Sequence, residues 1–98
     1  MQNLINVSLQ LIPKSKHKDS YTIVDKAIEI IQNSGIKHQV CPFETVMEGR
    51  YDKLMEIIKQ IHEVCFEYGS DEIISIIKIQ ANRHSDVTIE DKMCKYVN

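Results

Sequence analysis

Residues Cys41–Gly49, CPFETVMEG, decide the fold of this chain. They place a Pro-containing turn, a short extended run and a Gly between two helical patterns, which predicts a hairpin of two antiparallel strands. An alternating apolar segment precedes the first helical pattern, and another follows the second. The predicted order is therefore strand, helix, strand, strand, helix, strand, the order of a split βαβ sheet.

Periodicity gives the bounds of these elements. The predicted strands are Leu4–Ile12, Ile36–Phe43, Thr45–Glu48 and Ile73–Ala81. The predicted helices run from Asp19 or Ser20 to about Ser34 and from Tyr51 to Tyr68, with a short helix within Thr88–Tyr96. We expect Pro13 to end the first strand, and Gly35 and Gly69 to end the two long helices.

Length and composition bound the class of protein. The 98 residues form one predicted domain, 1–98, large enough to bury a core without a disulfide or metal. A net charge of −2 does not indicate binding to nucleic acid or to an anionic membrane, both of which favour basic proteins. Three widely spaced cysteines are typical of reduced, structural thiols, and no stretch is typical of a signal peptide or a membrane span. We therefore expect a soluble, cytoplasmic protein.

The sheet should have one uncovered face, because both right-handed crossovers deposit their helix on the same side. Alternation assigns to that face a polar row and an apolar group: Asn6, Ser8, Gln10, Ile12, Ile74 and Ile76, with Lys78 and Gln80 near one end. Exposed apolar residues at this density indicate a partner subunit. The sequence thus predicts a homo-oligomer whose sheets meet face to face or edge to edge.

These residues carry a resemblance to the small thiamine-binding protein family, formerly catalogued as an uncharacterised protein family. Its most specific part is the hairpin, Pro42-x-x-Thr45-x-x-Glu48-Gly49. Weaker matches occur in the right order over nearly the whole chain: Pro13, Ser20-Tyr21, Ser34-Gly35, and Lys78-Ile79 leading to Arg83. The resemblance implies a ferredoxin-like βαββαβ sandwich with two helices on one face, assembly as dimers or tetramers, and a ligand such as thiamine or its hydroxymethylpyrimidine moiety.

Seven residues are the candidate ligand contacts: Ser8, Gln10, Tyr21, Thr45, Glu48, Lys78 and Arg83. Glu48 can accept from an aminopyrimidine or face the thiazolium cation, or it can accept backbone N–H groups at the start of the second helix. Thr45 offers a hydroxyl, or is an ordinary strand residue. The row that contains Ser8 and Gln10 can read the edge of a heterocycle or make cross-strand bonds at a subunit interface.

The remaining candidates also have two interpretations each. Lys78 and Arg83 can engage a phosphate or brace Glu48, or they can form intersubunit ion pairs. Tyr21 can stack on a planar ring or pack structurally. His62 and Cys65 lie one helical turn apart but do not complete a metal site, and no catalytic constellation is visible.

The leading hypothesis is a non-catalytic module that binds thiamine or a related pyrimidine, with no cofactor and no metal. The first alternative is a structural or regulatory homo-oligomer without a small ligand. The second alternative is an enzyme that uses Glu48 as acid or base, with Lys78 or Arg83 as the electrophilic partner.

Overall fold

The computed structural model describes residues 3–96 as four strands, three helices and a terminal 3-10 turn. The elements in chain order are β1 (Ile5–Lys14), α1 (Ser20–Asn33), β2 (Lys37–Val40), β3 (Thr45–Gly49), α2 (Tyr51–Glu67), β4 (Glu72–Gln80), α3 (Ile89–Met93) and the 3-10 turn Cys94–Tyr96. The strands form one antiparallel sheet in the order β2-β3-β1-β4. This arrangement confirms the predicted α+β, ferredoxin-like fold.

The core lies between one sheet face and the two long helices. On the sheet side it contains Ile5, Val7 and Leu9 of β1 with Met47 of β3, all alternate residues and all buried. The two helices contribute eight buried residues: Ile23, Ala27 and Ile31 of α1, and Leu54, Ile57, Ile58, Ile61 and Cys65 of α2. Because side chains alternate along a strand, Asn6, Ser8 and Gln10 point to the other face, as predicted.

The two long helices end where the glycines predict. Gly35 follows α1 with a φ of 78°, and Gly69 follows α2 with a φ of 108°. L-residues rarely adopt these positive values, so a glycine allows the chain to reverse at each helix end. At the other end of α1, Asp19 occupies the N-cap position but makes no side-chain capping hydrogen bond.

Two strand ends, those of β1 and β2, differ from the prediction by more than one residue. β1 continues through Pro13 to Lys14, so the expectation that Pro13 ends the strand is wrong. β1 pairs with β3 only as far as Leu9, whereas its pairing with β4 runs from Asn6 to Lys14. Pro13 therefore lies where β1 has a strand on one side only, a position at which a missing N–H is tolerated. β2 is shorter than predicted, since the chain leaves the sheet after Val40.

The segment that leads into α3 attaches to the open face of the sheet. Leu4 N donates to a carboxylate oxygen of Asp86 at 2.8 Å, and Val87 N donates to Leu4 O at 3.0 Å. Thr88 caps α3, accepting from Asp91 N at 3.1 Å, as the Thr-x-x-Asp spacing predicts. No helix within residues 3–96 has the length and apolar character needed to cross a bilayer.

Candidate ligand-binding site

A pocket of about 260 Å³ opens on the sheet face that α1 and α2 leave uncovered. Strands β1, β3 and β4 form its floor, and α3 contributes one wall. Its lining residues are Asn6, Ser8, Glu44, Val46, Lys78, Ile79, Gln80 and Lys92. We call this cavity the open-face pocket.

The floor of the open-face pocket holds two buried polar atoms without a partner. Asn6 is 3% exposed, and its Nδ2 donates to Val87 O at 3.0 Å. Within residues 3–96, its other amide atom, Oδ1, and Ser8 Oγ make no hydrogen bond, although both atoms are buried. Buried polar groups are almost always paired in native proteins, so two neighbouring exceptions indicate a place where a ligand supplies the partners.

Two side-chain bridges flank the floor. Lys78 lies opposite Ser8 in the β1–β4 register, and its Nζ reaches Glu44 Oε2 at 3.7 Å. Since Glu44 directly precedes β3, on the far side of β1, this ion pair crosses above β1. On the other side, Lys92 of α3 donates to Gln80 Oε1 at 2.9 Å, and Gln80 lies opposite Asn6. The two bridges therefore bracket the unpaired atoms.

Glu48 lies on the same face but serves the attachment of α3. It is 9% exposed, and its Oε1 accepts from Ile89 N at 2.6 Å. Ile89 is the first residue of α3, where backbone N–H groups lack partners within the helix. Glu48 therefore accepts a backbone N–H at the start of a helix, as one of its two interpretations predicts, but the helix is α3 rather than α2.

The other predicted contacts are dispersed. Gln10 follows Ser8 on the open face and is half-buried, beyond the pocket lining. Thr45 pairs with Leu9 and Val40, is buried, and faces the helix-covered side. Tyr21 is 78% exposed on the first turn of α1. Arg83 follows β4, and its carbonyl accepts from Asn3 Nδ2 at 3.4 Å. Ser8 and Lys78 are the two predicted contacts that line the pocket.

Among the charged residues of the pocket, sequence reasoning missed Glu44 and Lys92. Asn6 and Gln80 were assigned to the open face but were not among the seven candidate contacts. A signal for Glu44 was available, because it continues the alternation of Val46 and Glu48 and so belongs to the open face. Lys92 carries no such signal, since only the docking of α3 brings it to the sheet.

A second cavity of about 280 Å³ lies beside the open-face pocket and shares two of its lining residues, Val46 and Lys92. Its other lining residues are Gln39, Cys41, Ile89 and Met93. This lining is mainly apolar.

Groups that could hold a metal are absent from the described part of the chain: within it, no three His, Cys, Asp or Glu side chains come together. His62 does not approach Cys65 as a ligand pair. Its Nε2 lies 2.7 Å from Ser75 Oγ, on the helix-covered side of β4. Burial in the core raises the pKa of the Cys65 thiol, which keeps this sulfur in the weakly reactive protonated form.

The sequence and the fold match known proteins over nearly their full length. Residues 7–97 match the model of the family described as thiamine-binding protein. The chain is 45% identical to the UPF0045 protein CPE1503 of Clostridium perfringens over 91 residues, which is 93% of this chain and 95% of that protein.

Two solved structures show the same fold. A domain of unknown function, DUF77, from Bacillus cereus superposes with a TM-score of 0.94 at 38% identity, over 98% of this chain and 92% of that one. TM0486 of Thermotoga maritima, assigned provisionally to thiamine biosynthesis or salvage, gives a TM-score of 0.86 at 26% identity, over 96% of this chain and 99% of that one.

Proposed function

The chain belongs to the thiamine-binding protein family, and we propose that it is a cytoplasmic, non-catalytic protein that binds thiamine or a related hydroxymethylpyrimidine in the open-face pocket. One observation carries the location: the buried, unpaired Asn6 Oδ1 and Ser8 Oγ lie side by side on its floor. Family membership supplies the class of ligand.

The pocket chemistry suits an aminopyrimidine ring. Asn6 Oδ1 is an acceptor, so it complements the exocyclic amine, which is a donor. Ser8 Oγ can donate to a ring nitrogen two residues further along the same face of β1. Val46, opposite Ser8 in β3, offers an apolar surface for the ring. The volume of about 260 Å³ is just below the range of about 300–1,000 Å³ typical of drug-sized ligands, so the pocket suits one ring with its substituents.

Binding requires side chains to move, because water does not reach the two unpaired atoms. To reach these atoms, the ligand must displace the Lys78–Glu44 ion pair, which crosses above β1. The Lys78 side chain is 73% exposed. The Glu44 side chain is 30% exposed. Ion pairs near the surface contribute about 0.2–1 kcal/mol, so opening this bridge costs about as much as one ligand hydrogen bond returns.

A second copy of the chain closes the site in this proposal. The end of the open face away from α3 exposes three isoleucines, Ile12, Ile74 and Ile76, by 36%, 43% and 45%. Two of them, Ile74 and Ile76, belong to β4. This nine-residue strand lies at the edge of the sheet, and its unpaired backbone groups are suited to association with another chain. Exposed apolar surface of this kind is typical of a subunit interface.

The oligomer is tested by light scattering coupled to size exclusion. We expect a dimer or tetramer at micromolar concentration, and we expect Ile76→Lys to dissociate it. Phe66→Lys is the matched control, because Phe66 is an exposed apolar residue of α2, on the other side of the sheet. A wild-type monomer, or equal effects of both substitutions, would refute this assignment.

Two contacts favour binding over catalysis. An enzyme that used Glu48 with Lys78 would need both side chains aimed at the substrate. Instead, Glu48 accepts from Ile89 N, and Lys78 pairs with Glu44. The only Ser–His hydrogen bond between side chains in residues 3–96, His62 to Ser75, lies on the helix-covered side.

Calorimetric titration with thiamine and with hydroxymethylpyrimidine tests the function. We expect saturable binding of at least one of them, and its loss in Val46→Arg, whose long side chain would fill both cavities next to Val46. Val40→Arg is the matched control, because Val40 is an exposed valine of the same hairpin that faces the other side. The absence of binding by the wild type would leave the structural oligomer as the better account, and equal binding by Val46→Arg would exclude this pocket.

A further inference from the structure

We propose that the open-face pocket selects ligands that carry a phosphate ester, and that Lys78 and Lys92 bind this phosphate. The inference rests on the proposed function, because it assumes that the pyrimidine ring occupies the floor of the pocket. It adds a ligand class and an assignment of two lysines, one of which, Lys92, comes from α3.

The charges that line the pocket favour an anion. Two lysines and one glutamate line the pocket, which leaves one positive charge in excess in the lining. The carboxylate of Glu48, opposite Asn6, lies outside the lining and accepts from Ile89 N. Lys78 has Glu44 as its partner, whereas the hydrogen-bond partner of Lys92 is the neutral amide of Gln80. A neutral pyrimidine does not neutralise this excess positive charge, and the thiazolium cation of thiamine increases it. A phosphate ester matches it.

The register places both lysines beside the ring-binding atoms. Asn6 lies opposite Gln80, whose amide oxygen holds Lys92, and Ser8 lies opposite Lys78. In hydroxymethylpyrimidine the hydroxymethyl group is attached next to the exocyclic amine. With the amine on Asn6 Oδ1 and a ring nitrogen on Ser8 Oγ, the ester lies on the side of the amine away from Ser8. Lys92, held by Gln80 beside Asn6, is then the nearer lysine, and the long side chain of Lys78 extends to the same ester from its position opposite Ser8.

A phosphate also provides a route into the buried floor. The Lys78–Glu44 ion pair crosses above β1 beside Ser8. A phosphate competes with Glu44 for Lys78, and charge-assisted hydrogen bonds to phosphate are stronger than a single 3.7 Å contact between exposed groups. Recruitment of Lys78 by the ester thus removes the bridge above Ser8 Oγ in the same step. Glu44 remains partly exposed, so water continues to solvate its charge.

The experiment compares hydroxymethylpyrimidine with its phosphate ester, and thiamine with thiamine monophosphate, by calorimetry on the full chain. We expect hydroxymethylpyrimidine phosphate to bind about fivefold to tenfold more tightly than hydroxymethylpyrimidine, the effect of two exposed charge pairs. Thiamine monophosphate carries its phosphate on the thiazolium side chain rather than on the pyrimidine, so its preference over thiamine should be smaller. This preference should fall towards one at about 1 M salt, where the screening length is about 3 Å.

Lys78→Gln and Lys92→Gln should each reduce the preference for the ester, measured within one variant as the ratio of its affinities for the ester and for the neutral pyrimidine, so that a change common to both ligands cancels. Lys14→Gln is the matched control: it removes the same charge from another exposed ion pair, Lys14 to Glu72 at 3.3 Å, and Lys14 does not line the pocket. The control should retain the full preference.

The outcomes separate the two proposals. If the unphosphorylated pyrimidine binds and its ester binds equally or more weakly, the phosphate inference is overturned and the proposed function stands. If the ester is preferred but neither lysine variant changes the preference, the assignment to Lys78 and Lys92 is wrong. If none of the four compounds binds, the proposed function fails, and this inference fails with it.

Discussion

Ser8→Ala should have opposite effects on the free protein and on its complex. In the free protein, Ser8 Oγ is buried without a hydrogen-bond partner, which costs about 1–3 kcal/mol relative to a hydrated hydroxyl. Alanine removes that oxygen and leaves the backbone pairing with β3 and β4 intact. We therefore expect the free energy of unfolding to rise by about 0.5–1.5 kcal/mol. In a domain of this size, that change raises the Tm by several degrees.

Ser70→Ala is the control for this stability effect. Ser70 is also buried, at 7% exposure, but its Oγ lies 2.8 Å from Glu72 O and 3.3 Å from Lys14 O and donates to these carbonyls. The same substitution there removes a hydrogen bond that the free protein makes, so the free energy of unfolding should fall by about 1 kcal/mol. Urea denaturation of the wild type and both variants, without ligand, measures the two opposite signs.

In the complex, Ser8→Ala should weaken pyrimidine binding by about threefold to tenfold, the value of one lost hydrogen bond. Calorimetry gives this number directly. If Ser8→Ala destabilised the free protein as much as Ser70→Ala does, then Ser8 Oγ would have a partner in the free state, and the main evidence for the pocket would be lost.

Further predictions follow from contacts outside the floor of the pocket. Glu48→Ala should lower the free energy of unfolding by about 1.5–3 kcal/mol and accelerate hydrogen exchange of the Ile89 amide, because that N–H loses a charged acceptor. Glu48→Gln keeps an acceptor oxygen and should lower it less. Equal losses in the two variants would contradict this role of Glu48. Cys94, which is exposed, should react with a thiol reagent in the native protein, and buried Cys65 only after unfolding; native reaction of Cys65 would show that the core opens. Gly69→Ala should destabilise by about 1–3 kcal/mol in urea denaturation, because φ is 108° and the new Cβ would meet Lys18 Cγ at 3.0 Å; an unchanged midpoint would contradict this strain.

The sheet and its faces could be predicted from the sequence because they depend on short-range periodicity. Alternation in β1 separates Val7 and Leu9 from Asn6 and Ser8, and the structure places the first pair in the core and the second on the open face. The same rule, applied to 44, 46 and 48, would have brought Glu44 to that face. Thr45 then necessarily faces the helices, so Thr45 and Glu48 could not both line one pocket.

The walls of the pocket could not be predicted, because they depend on contacts between residues far apart in the chain. Glu48 accepts from Ile89, 41 residues later, and Lys78 pairs with Glu44 across an intervening strand. Alternation assigns Glu44 to the open face but does not identify it as the partner of Lys78, and no spacing or motif identifies Ile89 as the partner of Glu48. Glu48 was a reasonable candidate for a ligand contact, since a buried carboxylate needs a donor, but the sequence does not say whether a ligand or a backbone amide supplies it.

Asn6 explains why the position of α3 matters for the site. Its amide has two ends, and each faces a different part of the molecule: Nδ2 donates to Val87 O, while Oδ1 remains unpaired on the pocket floor. The bond to Val87 fixes which end faces the ligand, because a rotated amide would place two carbonyl oxygens together. The segment before α3 therefore does more than cover the sheet. It selects an acceptor rather than a donor for the floor, so under the proposed function the pocket should recognise a group that donates a hydrogen bond, such as an exocyclic amine.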